Sequence, residues 1–143
     1  MKKRIVSLLL MFALAITSVY AVKIETVTPY ASAYLDEYSV TLNAKGNGKM
    51  LVTMTVDGVT TMDRIGVLCI DIDEKRNGTW YDFDEVYSDD YPYFVISNSF
   101  DYADDYAFYG TPGRQYRVTI TAYARKNGGS DTGTVTSPIV TCE

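Results

Sequence analysis

The sequence contains no histidine. That absence removes the side chain that most often serves as a general base near neutral pH and as a metal ligand. Basic residues are also few, 13 against 18 acidic ones, for a net charge of −5. Lys2, Lys3 and Arg4 stand at the very start. Without them the 13 basic residues fall to 10, so the net charge becomes −8. An acidic chain with no basic block repels nucleic acid and anionic membrane surfaces, so no nucleic acid partner is expected. No glycine-rich phosphate loop, nucleophile elbow or spaced set of metal ligands occurs. There are only two cysteines, four prolines and one tryptophan.

Long apolar runs are equally scarce. The single one, Ile5 to Ile16, covers 12 residues, well short of the roughly 20 needed to span a bilayer. Lys2-Lys3-Arg4 before it and the small-residue exit to Ala21 after it give the pattern of a secretory signal peptide. Residues 1–21 are therefore expected to be a signal, cleaved after about Ala21. A second small-x-small site, Ala31-Ser32-Ala33, offers a later cut. The chain is expected to be secreted and extracellular, with no membrane span in the mature protein. Residues 22–34 are expected to be an extended N-terminal segment and 35–143 a single domain.

What the chain does have is period-2 alternation. Tyr38, Val40 and Leu42 alternate with Ser39 and Thr41. Lys45-Gly46-Asn47-Gly48 predicts a turn, since Asn and Gly both tolerate positive φ. Met50, Val52, Met54 and Val56 continue the pattern, and Asp57-Gly58 predicts another turn. Ile65–Ile72, apolar on both faces, predicts a central strand. Glu74–Gly78 reads as a polar turn, and Thr79–Tyr87 and Tyr93–Phe100 as β-prone runs. Gln115–Ala124 is the clearest strand, followed by a turn at Asn127-Gly128-Gly129-Ser130. Thr132–Thr141 closes the chain, with Pro138 marking an edge or a bulge. No helical periodicity competes. The fold class predicted is all-β: a two-sheet antiparallel β-sandwich of about seven strands. Ile65, Val67, Val118, Ile120 and Ala122 are expected in its core.

The stretch Gly110-Thr111-Pro112-Gly113-Arg114-Gln115-Tyr116-Arg117-Val118-Thr119-Ile120-Thr121-Ala122 resembles the end of a fibronectin type III/immunoglobulin-like domain. There a Pro-Gly turn leads to a Tyr that opens the penultimate strand. The resemblance implies that Tyr116 forms a tyrosine corner, its hydroxyl bonded to backbone a few residues upstream. Met54 or a neighbour stands where that family carries a Trp. The signal pattern, Met62-Asp63-Arg64-Ile65-Gly66-Val67, Asn77-Gly78-Thr79-Trp80 and Tyr116-Arg117-Val118 together resemble small secreted proteins of Gram-positive bacteria of unknown function. That likeness implies an extracellular, bacterial sandwich and no activity.

Two features carry the candidate chemistry. Cys69 and Cys142 are the candidates for one disulfide in an exported chain. Their strands are expected to flank the Tyr116 strand, about 9–10 Å apart, beyond the roughly 7 Å a bridge allows. Residues 81–109 hold eight acids, seven Tyr and four Phe, with no Lys or Arg. A bland reading has the aromatics lining strands and loops, and the acids keeping loops soluble. A second is a calcium site, with Asp101, Asp104 and Asp105 as candidate ligands. A third is a binding face of Trp80, Tyr81, Tyr91, Tyr93, Tyr102, Tyr106 and Tyr109. Such rings give flat apolar area with a polar tip, suited to an extracellular glycan or protein.

The function expected is thus a monomeric, secreted, non-enzymatic protein that binds in or outside the cell envelope. The alternative is a calcium-stabilised carbohydrate-binding module using residues 81–109. A small glycosidase-type enzyme with two carboxylates is a further alternative, though nothing marks a particular pair.

Overall fold

The computed structural model describes residues 23–28 and 32–143. The expected signal peptide, and Ala31 of the alternative cleavage site, lie outside the described residues. Eight strands follow in order: β1 (Glu25–Val27), β2 (Leu35–Ala44), β3 (Lys49–Arg76), β4 (Thr79–Tyr87), β5 (Val95–Tyr109), β6 (Gln115–Lys126), β7 (Gly129–Thr136) and β8 (Val140–Thr141). A 3-10 turn, Pro92–Phe94, precedes β5. Among the described residues no helix is long and apolar enough to cross a membrane.

The protein is all-β and antiparallel, with one strand more than expected. Hydrogen bonding joins the strands into one curled sheet instead of the two sheets of the expected sandwich, in the order β1-β2-β3-β6-β7. The reason is β3. Asp57-Gly58 was expected to reverse the chain, but the strand runs on for 28 residues. Its first part pairs with β2 and β5, and its later part with β4 and β6. Gly58 is buried, and a Cβ there would meet the Met62 side chain at 2.9 Å. It marks close packing beside a register shift between Asp57 and Met62, not a hairpin. The β-branched Val59-Thr60-Thr61 that follows favours extended backbone.

Gly66 sits at the other close approach in β3. Its φ is +153°, and a Cβ would stand 1.9 Å from the Phe94 carbonyl oxygen. Only glycine admits the 3-10 turn against β3 there. Pro138 splits the last run: β7 stops at Thr136 and β8 covers two residues, since proline has no N–H to donate to a ladder.

The inner faces of the two ends of the curled sheet make one core. Val40, Met50, Val52, Met54 and Val56 come from one end. Ile65, Val67, Ile70, Val118, Ile120 and Ala122 come from the other, and all are fully buried. The expected core residues are all among them.

Candidate functional site

The acidic aromatic segment was expected as strands with soluble loops between. Nearly all of it is strand. β4 and β5 pair only with β3, so each leaves one backbone edge unpaired. Phe83 of β4 and Phe108 of β5 reach each other, with ring centroids 5.8 Å apart. Both rings also pack against Tyr116. The space between the two edges is thus closed by rings and not by hydrogen bonds. Acids on both strands keep these edges from accepting a further strand.

The candidate binding residues divide into three groups. Tyr91, Tyr93 and Tyr106 come together around Phe94. Tyr91 stacks on Phe94 at 5.2 Å, and Tyr93 meets both Tyr91 and Phe94 edge-on. Tyr106 closes the group against Tyr91 and Phe94. Burial and the adjacent Tyr91 hydroxyl push the Tyr106 phenol up to about 12. Tyr93 is 54% exposed, so one ring of a rigid cluster faces solvent.

Tyr81 and Tyr109 are exposed, and Tyr109 is the more so at 68%. They lie on the same two edge strands without joining the cluster, and the Arg76 guanidinium lies over the Tyr81 ring at 5.7 Å. Trp80 and Tyr102 do not fit the expected face. The Trp80 ring is occupied by Arg117, at 4.3 Å, and Lys75, at 5.6 Å. Tyr102 is buried, and among the described residues its hydroxyl has no hydrogen-bond partner. Burial and the charge of Asp104 hold its pKa well above the ordinary phenol value.

Asp101, Asp104 and Asp105 do not converge. Successive strand residues point to opposite faces. Asp104 pairs in register with buried Met54, whereas Asp105 pairs with Thr53 and accepts its hydroxyl proton at 2.6 Å. Asp101 shares the face of Asp105 but lies four residues, about 13 Å, along the strand. Among the described residues, no group of three His, Cys, Asp or Glu is placed to hold a metal ion.

Cys69 and Cys142 are both free thiols. The main separation runs along the strands. Cys69 pairs with Thr121 and Thr141 with Gln115. The six-residue offset between those β6 positions amounts to about 20 Å. Burial, then the hydrogen bond to Asp71, push the Cys69 thiol up to about 12.

One constellation escaped the sequence reading. Glu74, expected in a polar turn, is 1% exposed inside β3. Its Oε1 accepts from Arg76 Nε and, at 2.8 Å, from Arg114 Nη1, while Oε2 accepts from the Tyr116 hydroxyl. That hydroxyl in turn accepts the Thr111 backbone N–H at 2.7 Å. Tyr116 therefore bonds backbone five residues upstream, the geometry the fibronectin-type resemblance implies for it. Gly110 makes room: a Cβ there would stand 2.7 Å from the Tyr116 ring. Burial works to raise the Glu74 pKa. The hydrogen bonds from Tyr116, Arg76 and Arg114 outweigh it and hold the carboxyl below its ordinary value. The signal was present in phase alone, since position 74 continues the inward alternation of Ile70 and Ile72.

The fold and these features define an antiparallel all-β chain with two aromatic, acid-bearing edge strands. No protein-family model matches the chain, and no curated protein matches it.

Proposed function

We propose that this chain is an exported, non-enzymatic binding domain, and that its ligand face is the aromatic rim of β4 and β5. The carrying observation is the Tyr91–Tyr93–Phe94–Tyr106 cluster, which presents Tyr93 to solvent on a rigid base. Exposed Tyr81, Tyr87, Phe100 and Tyr109 stand on the same two strands, with Tyr87 and Tyr109 on the sheet face opposite Val86 and Tyr106. Fixed rings lose little entropy on contact, and flanking carboxylates accept hydrogen bonds from hydroxyls. That chemistry fits a polyhydroxylated partner, an extracellular glycan, better than an anionic one.

The signal-like N-terminus supports export. The likeness to small secreted Gram-positive proteins supports a place in or outside a bacterial envelope. The Tyr116 corner supports a fibronectin type III/immunoglobulin-like ancestry for the scaffold, while the continuous β3 sets it apart from two separate sheets.

The test is co-sedimentation of the purified protein with a panel of insoluble polysaccharides, assayed in parallel for released sugar. Saturable retention on one polymer without turnover is expected. Retention on none contradicts the binding face, and sugar release contradicts the non-enzymatic reading.

A further inference from the structure

Basic residues scattered through the sequence gather at one end of the molecule. The Arg76–Thr79 hairpin joins β3 to β4, and the Thr111–Arg114 turn leads into β6 beside it. Between them lies an open cleft of about 610 Å³. Lys75, Arg76 and Arg114 line it, with the amides of Asn77 and Gln115 and the hydroxyl of Thr141. No carboxylate belongs to its lining. The nearest, Glu74, is buried beneath and holds both guanidinium groups. Those two side chains stay 48% and 43% exposed. A guanidinium carries five N–H donors. Each of these spends one on Glu74 and, among the described residues, no other on a protein acceptor.

We propose that this cleft is a binding site for phosphate groups bearing two negative charges, either the dianion of a small ester or two neighbouring singly charged units of a polymer. Three cations against one buried carboxylate leave a local charge of +2, which a dianion balances and a single carboxylate does not. Arginine forks match the geometry of phosphate oxygens. Glu74 fixes the forks before any ligand arrives, which lowers the ordering cost of binding. Lys75 adds a point charge at the wall. The negative charge of the whole chain does not cancel this site, because salt screens exposed charges beyond roughly 8 Å at physiological ionic strength.

The inference is tested by NMR titration of the purified protein at fixed ionic strength. The probes are inorganic phosphate, a linear polyphosphate and, as the monoanion, acetate. Saturable shifts at Asn77, Gly78, Gly113 and Arg114 are expected with the phosphates and not with acetate. Tighter binding per phosphate by the polymer points to a polymeric source, and equal binding to a small ester. Lys75 forms no ion pair with Glu74 and gives up only its place over the Trp80 ring, so Lys75→Gln should lower Tm by a few degrees at most and weaken phosphate about fivefold or more. Arg114→Lys keeps the charge, loses the fork and should weaken it as well. Absence of saturable shifts with either phosphate, an equal response to acetate, or wild-type affinity in both variants overturns the proposal.

Discussion

Glu74 and Asp57 lie on the same strand and show two ways a sheet can carry a carboxylate. Glu74 points inward, is buried, and receives three charge-assisted or hydroxyl hydrogen bonds. Asp57 points outward and stands in a row of like charges. It pairs in register with Glu37 on β2 and with Asp101 on β5. Burial first, then Glu37, Asp101 and Asp36, raise its pKa. Burial by itself therefore does not decide whether a charge is tolerated. The partners brought by neighbouring strands decide it.

Breaking the satisfied site should have the largest effect. Glu74→Ala leaves two guanidinium groups and the Tyr116 hydroxyl facing an empty position. The guanidinium groups are nearly half exposed and rehydrate. The cost is therefore the lost hydrogen bonds and the buried Tyr116 hydroxyl left unpaired, about 2–3 kcal/mol, and thermal unfolding should show Tm lowered by several degrees or more. Tyr116→Phe keeps the ring between Phe83 and Phe108 but takes one donor from Glu74 and one acceptor from Thr111. Urea unfolding should show a loss of about 1–3 kcal/mol.

Relieving the unsatisfied site should work in the other direction. Asp57→Asn removes the central charge of the row, and like charges directly opposite cost roughly 0.2–1 kcal/mol. A small rise in Tm at neutral pH is expected, and a fall would contradict the row. Tyr102→Phe deletes a buried hydroxyl without a partner and should be neutral or slightly stabilising in the same assay.

The two carboxyls also leave opposite marks on the pH dependence. The folded pKa of Glu74 is depressed. Its contribution is present above the ordinary value and is lost as pH falls through the folded value. The folded pKa of Asp57 is raised. Its contribution is present below the ordinary value and is lost as pH rises through the folded value. Stability against pH should lose part of its acid limb in Glu74→Gln. In Asp57→Asn it should lose part of its decline toward neutral pH.

Much of the scaffold was legible in residue alternation. Gln115–Ala124 reads correctly because its apolar and polar faces both follow the pleat. Ile65, Val67 and Ile120 are buried as their phase requires. The Asp57-Gly58 turn failed because glycine there answers to the Met62 side chain, which lies across a bend that local sequence does not reveal. The acidic aromatic stretch was legible as a candidate surface in composition only. Which rings cluster depends on the Pro92–Phe94 turn and on Gly66 admitting it, and these are contacts between distant residues. The split of Asp104 from Asp105 follows from strand phase alone, once the segment is known to be strand. The basic cleft left no trace in the linear charge pattern, since Lys75 and Arg76 meet Arg114 only through the β3–β6 pairing.

The β4–β5 rim carries exposed rings that the proposed ligand face needs and the core does not. Tyr93 and Tyr109 are the rings to remove, since both face solvent. The decisive measurement pairs Tm with co-sedimentation for the Tyr93→Ser/Tyr109→Ser double variant on the polysaccharide that retains the wild type. Tm is expected to fall by several degrees at most, as Tyr93 gives up its edge contacts with Tyr91 and Phe94, with retention lost. Retention unchanged would contradict the proposed ligand face.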